Sequence, residues 1–549
     1  MANTVQEYSQ DAAEAFIQTA VFVDDRLYEN ATASVSHERK KVVAPVPRKR
    51  ATKSAAKEPV KNLTDVDGDS DSTPDALDIV NSFAKKQIVC SLYQPRKDAS
   101  VSPKSELFPL CKAADVVIVD WDLYGDKGDR ALKLIDGLIS QALNDVPEQL
   151  RLILVYTHEP NLFSIGSDVF DRVSKKLGEG FSPTKADGGL SFHTRNSRVV
   201  VLGKPGRERV GVEDRFVVDE GDLAEVTIRE FAKLASGLLH AASLSGLAKI
   251  RQNSRKILSK FNADLDPGFM SHLAMNRPIE EASTHVIPLL VSEIEAVLED
   301  ALPDPLISEP ILNDWIDKSW KQGTHLSDLI DSSKDDPREV GKVLVSKGYK
   351  EASQKFDSLS NLSSASKARK AGRYFLSSDK SMSNHRFSHL MASRTFYGDK
   401  TKVLQLGSVV HRRDNDRYLL CVQPLCDSVR LSGPRTFMFI EMRKSNGTDE
   451  EKTSHLVPLD AHTYQELYFE AKAYNCVTGV FKPKRGSGEI TASAESDNSI
   501  FFEDVSGLKY YWVDQMRPAH AQRAVESFAS DLSRVGLTES EWLRRLSGN

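Results

Sequence analysis

Five short apolar runs, separated by amphipathic stretches, set the pattern of residues 1–246. The runs are rich in β-branched residues, and each is four or five residues long. Alternation of this kind is typical of βα units, which assemble into a parallel sheet. The runs occupy residues 19–23, 88–92, 116–119, 152–156 and 199–202. We therefore predict an α/β domain of flavodoxin-like architecture in this part of the chain.

Helical periodicity fills the spaces between the runs. Apolar residues recur at helical spacing in each intervening stretch, as on the buried face of an amphipathic helix. The predicted helices cover residues 74–83, 107–113, 130–143, 165–177 and 222–244. Two further stretches are predicted insertions: 30–73, which carries blocks of opposite charge typical of a disordered loop, and 178–198, which is rich in glycine and polar residues.

Polar residues follow four of the five runs. Asp24 and Asp25 follow the first run, Asp120 the third, Thr157 the fourth, and Lys204 comes two residues after the fifth. In parallel α/β sheets, ligands bind outside the carboxyl ends of the strands. We therefore expect these five side chains to converge on one site.

The residue types at this edge suit magnesium and a phosphoryl group. Mg²⁺ takes oxygen ligands, so Asp25 and Asp120 would supply carboxylates and Asp24 a water-bridged contact. Clustered carboxylates are costly without a cation. Asp120 could then attack a phosphoryl group in line, while Thr157 donates a hydrogen bond to it and Lys204 adds a positive charge. The pattern predicts a phosphoacceptor.

A motif around the third run carries a family resemblance. Asp120 is followed eight positions later by Gly128, and Lys204 is followed directly by Pro205. With these motifs, residues 1–246 resemble the receiver domain of two-component response regulators.

That resemblance implies roles for individual residues. Asp120 would be the phosphorylated residue, Asp24 and Asp25 the acid pocket, and the main-chain carbonyl of Asp122 a further Mg²⁺ ligand. It also implies a histidine kinase of the same operon as phosphoryl donor. The chain would not be an enzyme beyond self-catalysed phosphorylation and dephosphorylation.

The sequence departs from the receiver pattern at two positions. Tyr124 stands where the family usually has proline, and Val201 stands where it usually has an aromatic switch residue. The second departure puts the usual coupling between the threonine and that aromatic ring in doubt.

Beyond the receiver, residues 247–380 have a helical pattern that ends in a linker. Residues 381–549 are β-rich, with closing helices, and we predict an α+β domain there, a barrel-like one among the arrangements allowed. No helix-turn-helix, P-loop or GxSxG motif is evident. His455 and His462 are predicted to be surface histidines.

The overall layout resembles the phosphate-scavenging response-regulator component of Detocs-type antiviral defence systems. This implies a phosphate sink that buffers kinase signalling and protects a sister receiver-containing effector. One alternative is a receiver-gated effector whose β-rich domain binds nucleic acid or is enzymatic, which predicts a basic or catalytic cluster within residues 394–549. A scaffold with an inactive receiver is another.

Composition indicates the cellular compartment and the classes of partner that the chain favours. The chain has 549 residues, of which 28% are charged, and its formal net charge is -5. A net negative charge argues against a protein whose whole surface binds nucleic acid. No apolar run approaches the roughly 20 residues that span a bilayer, and the first residues do not form a signal peptide. Five cysteines show no disulfide-framework spacing. We expect a cytoplasmic protein without membrane contact, for which nucleic acid is an unlikely partner.

Overall fold

The computed structural model of the chain divides into two compact units, Met1–Lys318 and Ser319–Asn549, which are considered separately below. The predicted charged insertion at 30–73 lies outside the residues that the structure describes. These are residues 3–27, 75–97, 105–144, 149–177, 183–194, 196–276, 282–319, 330–360, 375–376, 382–398, 400–445, 454–460, 463–469, 472–484, 487–532 and 545–546.

A mixed sheet forms the centre of the first unit. Its strands, within the described residues, are β1 Thr19–Val23, β2 Val89–Tyr93, β3 Val116–Val119, β4 Arg151–Thr157, β5 Thr184–Ala186, β6 Ser191–His193 and β7 Ser197–Gly203. The strand order is β2-β1-β3-β4-β7-β6-β5. The five predicted runs form the parallel strands β1 to β4 and β7, in the flavodoxin-like order.

The central strands are buried on both faces, which explains their uniform apolar character. Phe22 of β1 pairs with Ile118 of β3, Ile118 with Leu154 of β4, and Leu154 with Val200 of β7. All four side chains are completely buried. A parallel sheet covered by helices on both sides reads as continuous hydrophobic runs rather than as an alternating pattern.

Six helices of the first unit accompany this sheet within the described residues. They are α1 Val5–Phe16, α2 Ala76–Lys85, α3 Leu107–Ala113, α4 Asp129–Asn144, α5 Leu162–Leu177 and α6 Leu223–Leu234. Helix α1 was not predicted, although the sequence has a signal for it. The Thr4 hydroxyl accepts the Glu7 N–H at 3.1 Å, and Glu7 accepts the Asn3 N–H at 2.8 Å, so the start resembles a capping box.

The prediction of one helix over 222–244 was wrong. Helix α6 ends at Leu234, and a new helix, α7 Leu238–Lys260, begins after Gly237, whose φ of 132° is accessible mainly to glycine. Helix α7 runs through residue 246, the predicted end of the receiver, and packs against α1.

The described part of the second insertion is not an irregular loop. It contains the hairpin β5–β6, which turns at Gly188 and Gly189 with positive φ and adds β6 antiparallel to β7. Strands of three residues are too short for a periodicity signal, so the glycines and polar residues dominated the prediction.

The helical pattern after residue 246 is confirmed. The further helices are α8 Asp266–Asn276, α9 Ala282–Ala301, α10 Glu309–Ser319, α11 Pro337–Lys355 and α12 Asp357–Ser360. In the first unit, Leu306, Ile307 and Ile311 pack against the core of the sheet domain. In the second, α11 and α12 enclose a small apolar cluster of their own.

The β-rich character of the second unit is also confirmed. Its strands are β8 Ser408–Arg412, β9 Arg417–Cys421, β10 Arg435–Lys444, β11 His455–Pro458, β12 Tyr464–Phe469, β13 Cys476–Phe481, β14 Ser493–Ala494, β15 Ile500–Glu503 and β16 Lys509–Gln515. The flanking helices are α13 Met382–Ala392 and α14 Pro518–Leu532. The strand pairings are antiparallel, and the barrel-like closure stays a prediction.

No helix in the described parts of the chain is long and apolar enough to cross a membrane.

One carboxylate ties the amino-terminal edge of the sheet to α7. Asp115, just before β3, accepts the N–H groups of Gln18 and Thr19 at 2.9 and 3.1 Å. It also receives both terminal nitrogens of Arg251, on α7, at 3.1 and 3.0 Å. Arg251 in turn donates to the carbonyl oxygen of Phe16 at the end of α1. Asp115 therefore links the starts of β1 and β3 to α7 and, through Arg251, to the end of α1.

We predict that Asp115→Ala lowers the free energy of unfolding of the chain by about 3 kcal/mol, because two main-chain donors and the Arg251 guanidinium lose the carboxylate that accepts their hydrogen bonds. Chemical denaturation measures this loss. Asp168→Ala, at an exposed mid-helix position of α5, is the matched control and should stay within about 0.5 kcal/mol of wild type. Equal effects of the two substitutions would contradict the role of Asp115.

Candidate functional site

The predicted site residues lie at one edge of the parallel sheet. Asp24 and Asp25 follow β1, Asp120 follows β3, Thr157 ends β4, and Lys204 follows β7. Each is at most 8% exposed. These strands are neighbours in the order β1-β3-β4-β7, so the parallel arrangement brings residues distant in sequence to one edge.

Lys204 is the centre of the polar contacts. Its Nζ lies 2.9 Å from Oδ2 of Asp24 and 2.8 Å from Oδ1 of Asp120. The Lys204 and Asp24 side chains are each 2% exposed, and that of Asp120 is 12% exposed. With Asp25 included, three carboxylates and one ammonium leave two formal negative charges in a buried pocket.

Burial governs the protonation of Asp120. It raises the pKa of the Asp120 carboxyl to about 6, although the charge of Lys204 pulls it down and that of Asp24 pushes it up. Burial alone would lower the pKa of Lys204, but the carboxylates of Asp120 and Asp24 raise it above its usual value. Lys204 is therefore a permanent cation, shared between two acids.

Tyr124 holds Asp25 through its main chain. Its N–H donates to Oδ2 of Asp25 at 2.8 Å, and its φ is 62°. Proline has no N–H and requires φ near -65°, so the family's usual proline would lose this contact. The Tyr124 hydroxyl donates to the carbonyl oxygen of Pro95. Burial raises the pKa of Asp25, and the Tyr124 N–H offsets part of that rise.

The loop after Asp120 positions the carboxylate of that residue. The Asp122 N–H donates to Oδ2 of Asp120 at 2.9 Å. The Asp122 carboxylate accepts the Lys127 N–H at 2.8 Å, so one of its oxygens serves the loop. Gly128 has φ of 91°, and a Cβ there would lie 2.2 Å from the Trp121 ring. The glycine that carried the resemblance is therefore needed for the loop to pack on Trp121.

Thr157 presents its hydroxyl at the end of β4. Its Oγ1 accepts the Glu159 N–H at 3.2 Å, and its carbonyl oxygen accepts the Lys204 N–H at 2.8 Å. The loops that carry Thr157 and Lys204 are thus directly joined. Arg209, which the sequence did not single out, reinforces this junction with hydrogen bonds to carbonyl oxygens of both loops. A lone arginine in a polar loop gives no sequence signal for such a role.

The chemistry of the pocket fits a divalent cation, although the carboxylates do not enclose one point by themselves. Among the residues that the structure describes, no group of three or more His, Cys, Asp or Glu stands ready to hold a metal ion. The Lys204 ammonium lies between Asp24 and Asp120, and Asp25 bonds to Tyr124. The donors are all oxygen atoms and the excess charge is negative, which suits Mg²⁺.

A comparison with protein families defines the class of this unit. Residues 16–209 match the family model described as a response receiver domain. No curated protein and no solved structure matches the chain. The N-terminal part is therefore a response receiver domain, which supports a response regulator of phosphorelay signalling. The match covers less than half of the chain and says nothing of the β-rich unit.

The second unit contains a buried polar cluster that the sequence did not reveal. Asp514 Oδ2 accepts the Ser393 hydroxyl at 2.6 Å and lies 2.8 Å from Nε2 of His455. His389 Nε2 lies 3.4 Å from the same oxygen. The prediction that His455 is a surface residue was wrong, because its side chain is completely buried. His462 lies outside the described residues.

This cluster lacks the order of a nucleophilic triad. Ser393 and His455 both contact the carboxylate of Asp514, whereas a triad requires the histidine between the nucleophile and the acid. Burial alone would raise the pKa of Asp514, but the contacts with His389, His455 and Ser393 lower it below its usual value. The arrangement is that of a buried structural carboxylate with its donors.

We predict that Tyr124→Pro costs about 2–3 kcal/mol of unfolding free energy, because Asp25 loses a main-chain donor and the backbone cannot reach positive φ. Tyr124→Phe, which keeps the N–H and removes only the hydroxyl bond to Pro95, should cost about 1 kcal/mol or less. Chemical denaturation compares them. A proline variant as stable as the phenylalanine variant would contradict the assigned contact.

A second prediction concerns the titration of Asp120 in the metal-free protein. Its folded-state pKa of about 6 lies above the usual value of 3.8, so its stabilising contribution is complete below pH 3.8 and is lost as the pH rises through 6. Unfolding free energies measured across this window should decline in wild type relative to Asp120→Asn. A difference between the two proteins that does not change with pH would contradict the raised pKa.

Proposed function

We propose that the chain accepts a phosphoryl group on Asp120 from a histidine kinase of the same operon. The observation that carries the proposal is the placement of Asp120 beside Lys204, at 2.8 Å, on the carboxyl edge of a receiver sheet. The carboxylate is buried, so its charge is poorly solvated and is stabilised by one cation and the Asp122 N–H. A buried, oriented oxyanion is a competent nucleophile.

The transfer exchanges one bond for another. An Asp120 oxygen forms a bond to phosphorus, the bond between phosphorus and the kinase imidazole nitrogen breaks, and that nitrogen keeps the electron pair. Asp120 must be ionised, a condition that its pKa of about 6 meets at neutral pH. Lys204, which already contacts Asp120, is placed to neutralise charge on the transferred group, and the Thr157 hydroxyl to donate a hydrogen bond to it.

We assign Mg²⁺ binding to Asp24, Asp25, Asp120 and the main-chain carbonyl of Asp122. When bound, Mg²⁺ supplies charge neutralisation for the phosphoryl oxygens. The two excess negative charges of the pocket and its all-oxygen donors support this assignment. The Tyr124 N–H fixes Asp25 for that purpose, and Arg26 N–H donates to Oδ1 of Asp24 at 2.8 Å.

We further propose that the chain absorbs phosphoryl groups rather than relaying them, as a cytoplasmic phosphate sink in bacterial antiviral defence. The resemblance of its layout to the response-regulator component of Detocs-type systems suggests this role. Val201, in the place of the aromatic switch, is 1% exposed within β7 and offers no ring to reorient. A sister receiver-containing effector would be the protein protected from stray phosphorylation.

The alternative of a receiver-gated effector receives less support. Its predicted catalytic cluster in the β-rich unit has a counterpart in Ser393, His455 and Asp514, but these lack the contact order of a triad. Three basic side chains on the strands are paired with acids: Asp416 binds both His411 and Lys444, and Glu495 binds Lys509. Paired charges do not favour nucleic acid binding.

We predict that the operon's histidine kinase, labelled ATP and Mg²⁺ together place label on wild type and not on Asp120→Asn. Autoradiography of the separated proteins measures it. The amide cannot act as the nucleophile, so the expected loss is complete. Asp168→Asn, on the exposed surface of α5, is the matched control and should accept label as wild type does.

Two outcomes of that experiment would count against the proposal. Unlabelled wild type, with a kinase shown to be active on itself, would remove the phosphoacceptor role. If label passes onward from wild type to the sister effector, the chain is a relay and the sink role is wrong. A label that disappears into free phosphate, while the effector stays unlabelled, supports the sink.

A further inference from the structure

One guanidinium joins the loop after β4 to the loop after β7. Arg209 Nη1 donates to the carbonyl oxygens of Lys204 at 2.8 Å and of Arg207 at 3.3 Å. Its Nη2 donates to the carbonyl oxygen of Thr157 at 3.3 Å, and its Nε to that of Glu159 at 3.2 Å. Arg209 is only 8% exposed, so four carbonyl oxygens surround a largely buried cation.

Gly203 makes room for this arrangement. A Cβ at Gly203 would lie 2.7 Å from Cζ and 2.8 Å from Nε of Arg209. The end of β7 therefore passes directly beside the guanidinium, and only glycine allows that approach. Because charged donors form stronger hydrogen bonds than neutral ones, the guanidinium holds the two loops more firmly than the bond between the Lys204 N–H and the Thr157 carbonyl oxygen would alone.

We infer that Arg209 is a positioning residue that locks the loops of Thr157 and Lys204 together. The Thr157 hydroxyl and the Lys204 ammonium, which are assigned to the phosphoryl oxygens, are then in position before Asp120 is phosphorylated. The Thr157 loop keeps the same position afterwards. This inference rests on the proposed phosphoacceptor function and specifies how that site is regulated: phosphorylation is accepted without movement of the β4 loop.

The surroundings of the lock favour a fixed site. Tyr156, the residue before Thr157, is completely buried, and its hydroxyl donates to the carbonyl oxygen of Val218 at 2.7 Å. The Lys204 ammonium lies 5.4 Å from the centre of the Tyr156 ring. The Tyr156 ring is thus held at its hydroxyl end, and the switch position itself is Val201.

Amide hydrogen exchange tests the lock through two reporters. The Lys204 N–H bonds to the Thr157 carbonyl oxygen, and the Glu159 N–H bonds to the Thr157 hydroxyl. The full chain is measured before and after treatment with a small acyl phosphate and Mg²⁺. In wild type we expect both reporters to exchange at the same rate in the two states.

Two variants remove the lock in different ways. Arg209→Ala deletes the guanidinium, and Gly203→Ala displaces it while keeping its charge. We expect each to accelerate exchange at both reporters by about tenfold, to slow phosphorylation by the acyl phosphate by a similar factor, and to make the reporters respond to phosphorylation. Arg207→Ala, an exposed arginine two residues away, is the matched control and should behave as wild type.

Amides of β3 report whether each variant is folded. If Arg209→Ala accelerates exchange of the β3 amides, that variant is unfolded, and Gly203→Ala and Arg209→Lys test the lock instead. Both retain the positive charge but lose the arrangement of four carbonyl contacts, so we expect accelerated exchange at the two reporters in each. Reporters that exchange at the wild-type rate in folded variants overturn the lock, as does a wild-type loop whose exchange changes about tenfold on phosphorylation. Wild type that accepts no phosphoryl group refutes the proposed function, while the rates without the phosphodonor still decide whether Arg209 joins the loops.

Discussion

The site depends on one shared ion pair, in which the Lys204 ammonium lies between the carboxylates of Asp24 and Asp120. Buried carboxylates at one sheet edge repel each other and lose hydration, and one cation offsets only part of that cost. Burial, together with the charge of Asp24, keeps the pKa of Asp120 raised. Under the proposed function, the remaining negative charge would attract a divalent cation. Under the proposed function, the same ammonium would contact the phosphoryl group that Asp120 receives.

The sheet and its loops keep these charges close together. The parallel register of β1, β3, β4 and β7 delivers the acids and the lysine to one edge. Main-chain donors then fix them individually: Tyr124 N–H holds Asp25 and Asp122 N–H holds Asp120. Tyr124 therefore helps to position the acid pair through its N–H, a contact that proline could not provide.

Sequence reasoning succeeded where one strong local pattern sufficed. Buried parallel strands read as apolar runs, so the strand ends and the order of their polar residues could be predicted. It failed where a structural feature depends on a very short segment or on residues far apart in the sequence. The hairpin β5–β6 is too short for periodicity, and Gly237 interrupts an otherwise helical pattern. Arg209 depends on carbonyl oxygens of two separate loops, and the buried place of His455 depends on Asp514.

The central claim is that Asp120 is the nucleophile of a working receiver. Peptide mass spectrometry after treatment with a small acyl phosphate and Mg²⁺ tests it most directly. The account predicts one added phosphoryl group on the peptide that contains Asp120, removable by hydroxylamine as expected of an acyl phosphate. An unmodified Asp120 peptide, or a phosphoryl group found only on another residue, would contradict it.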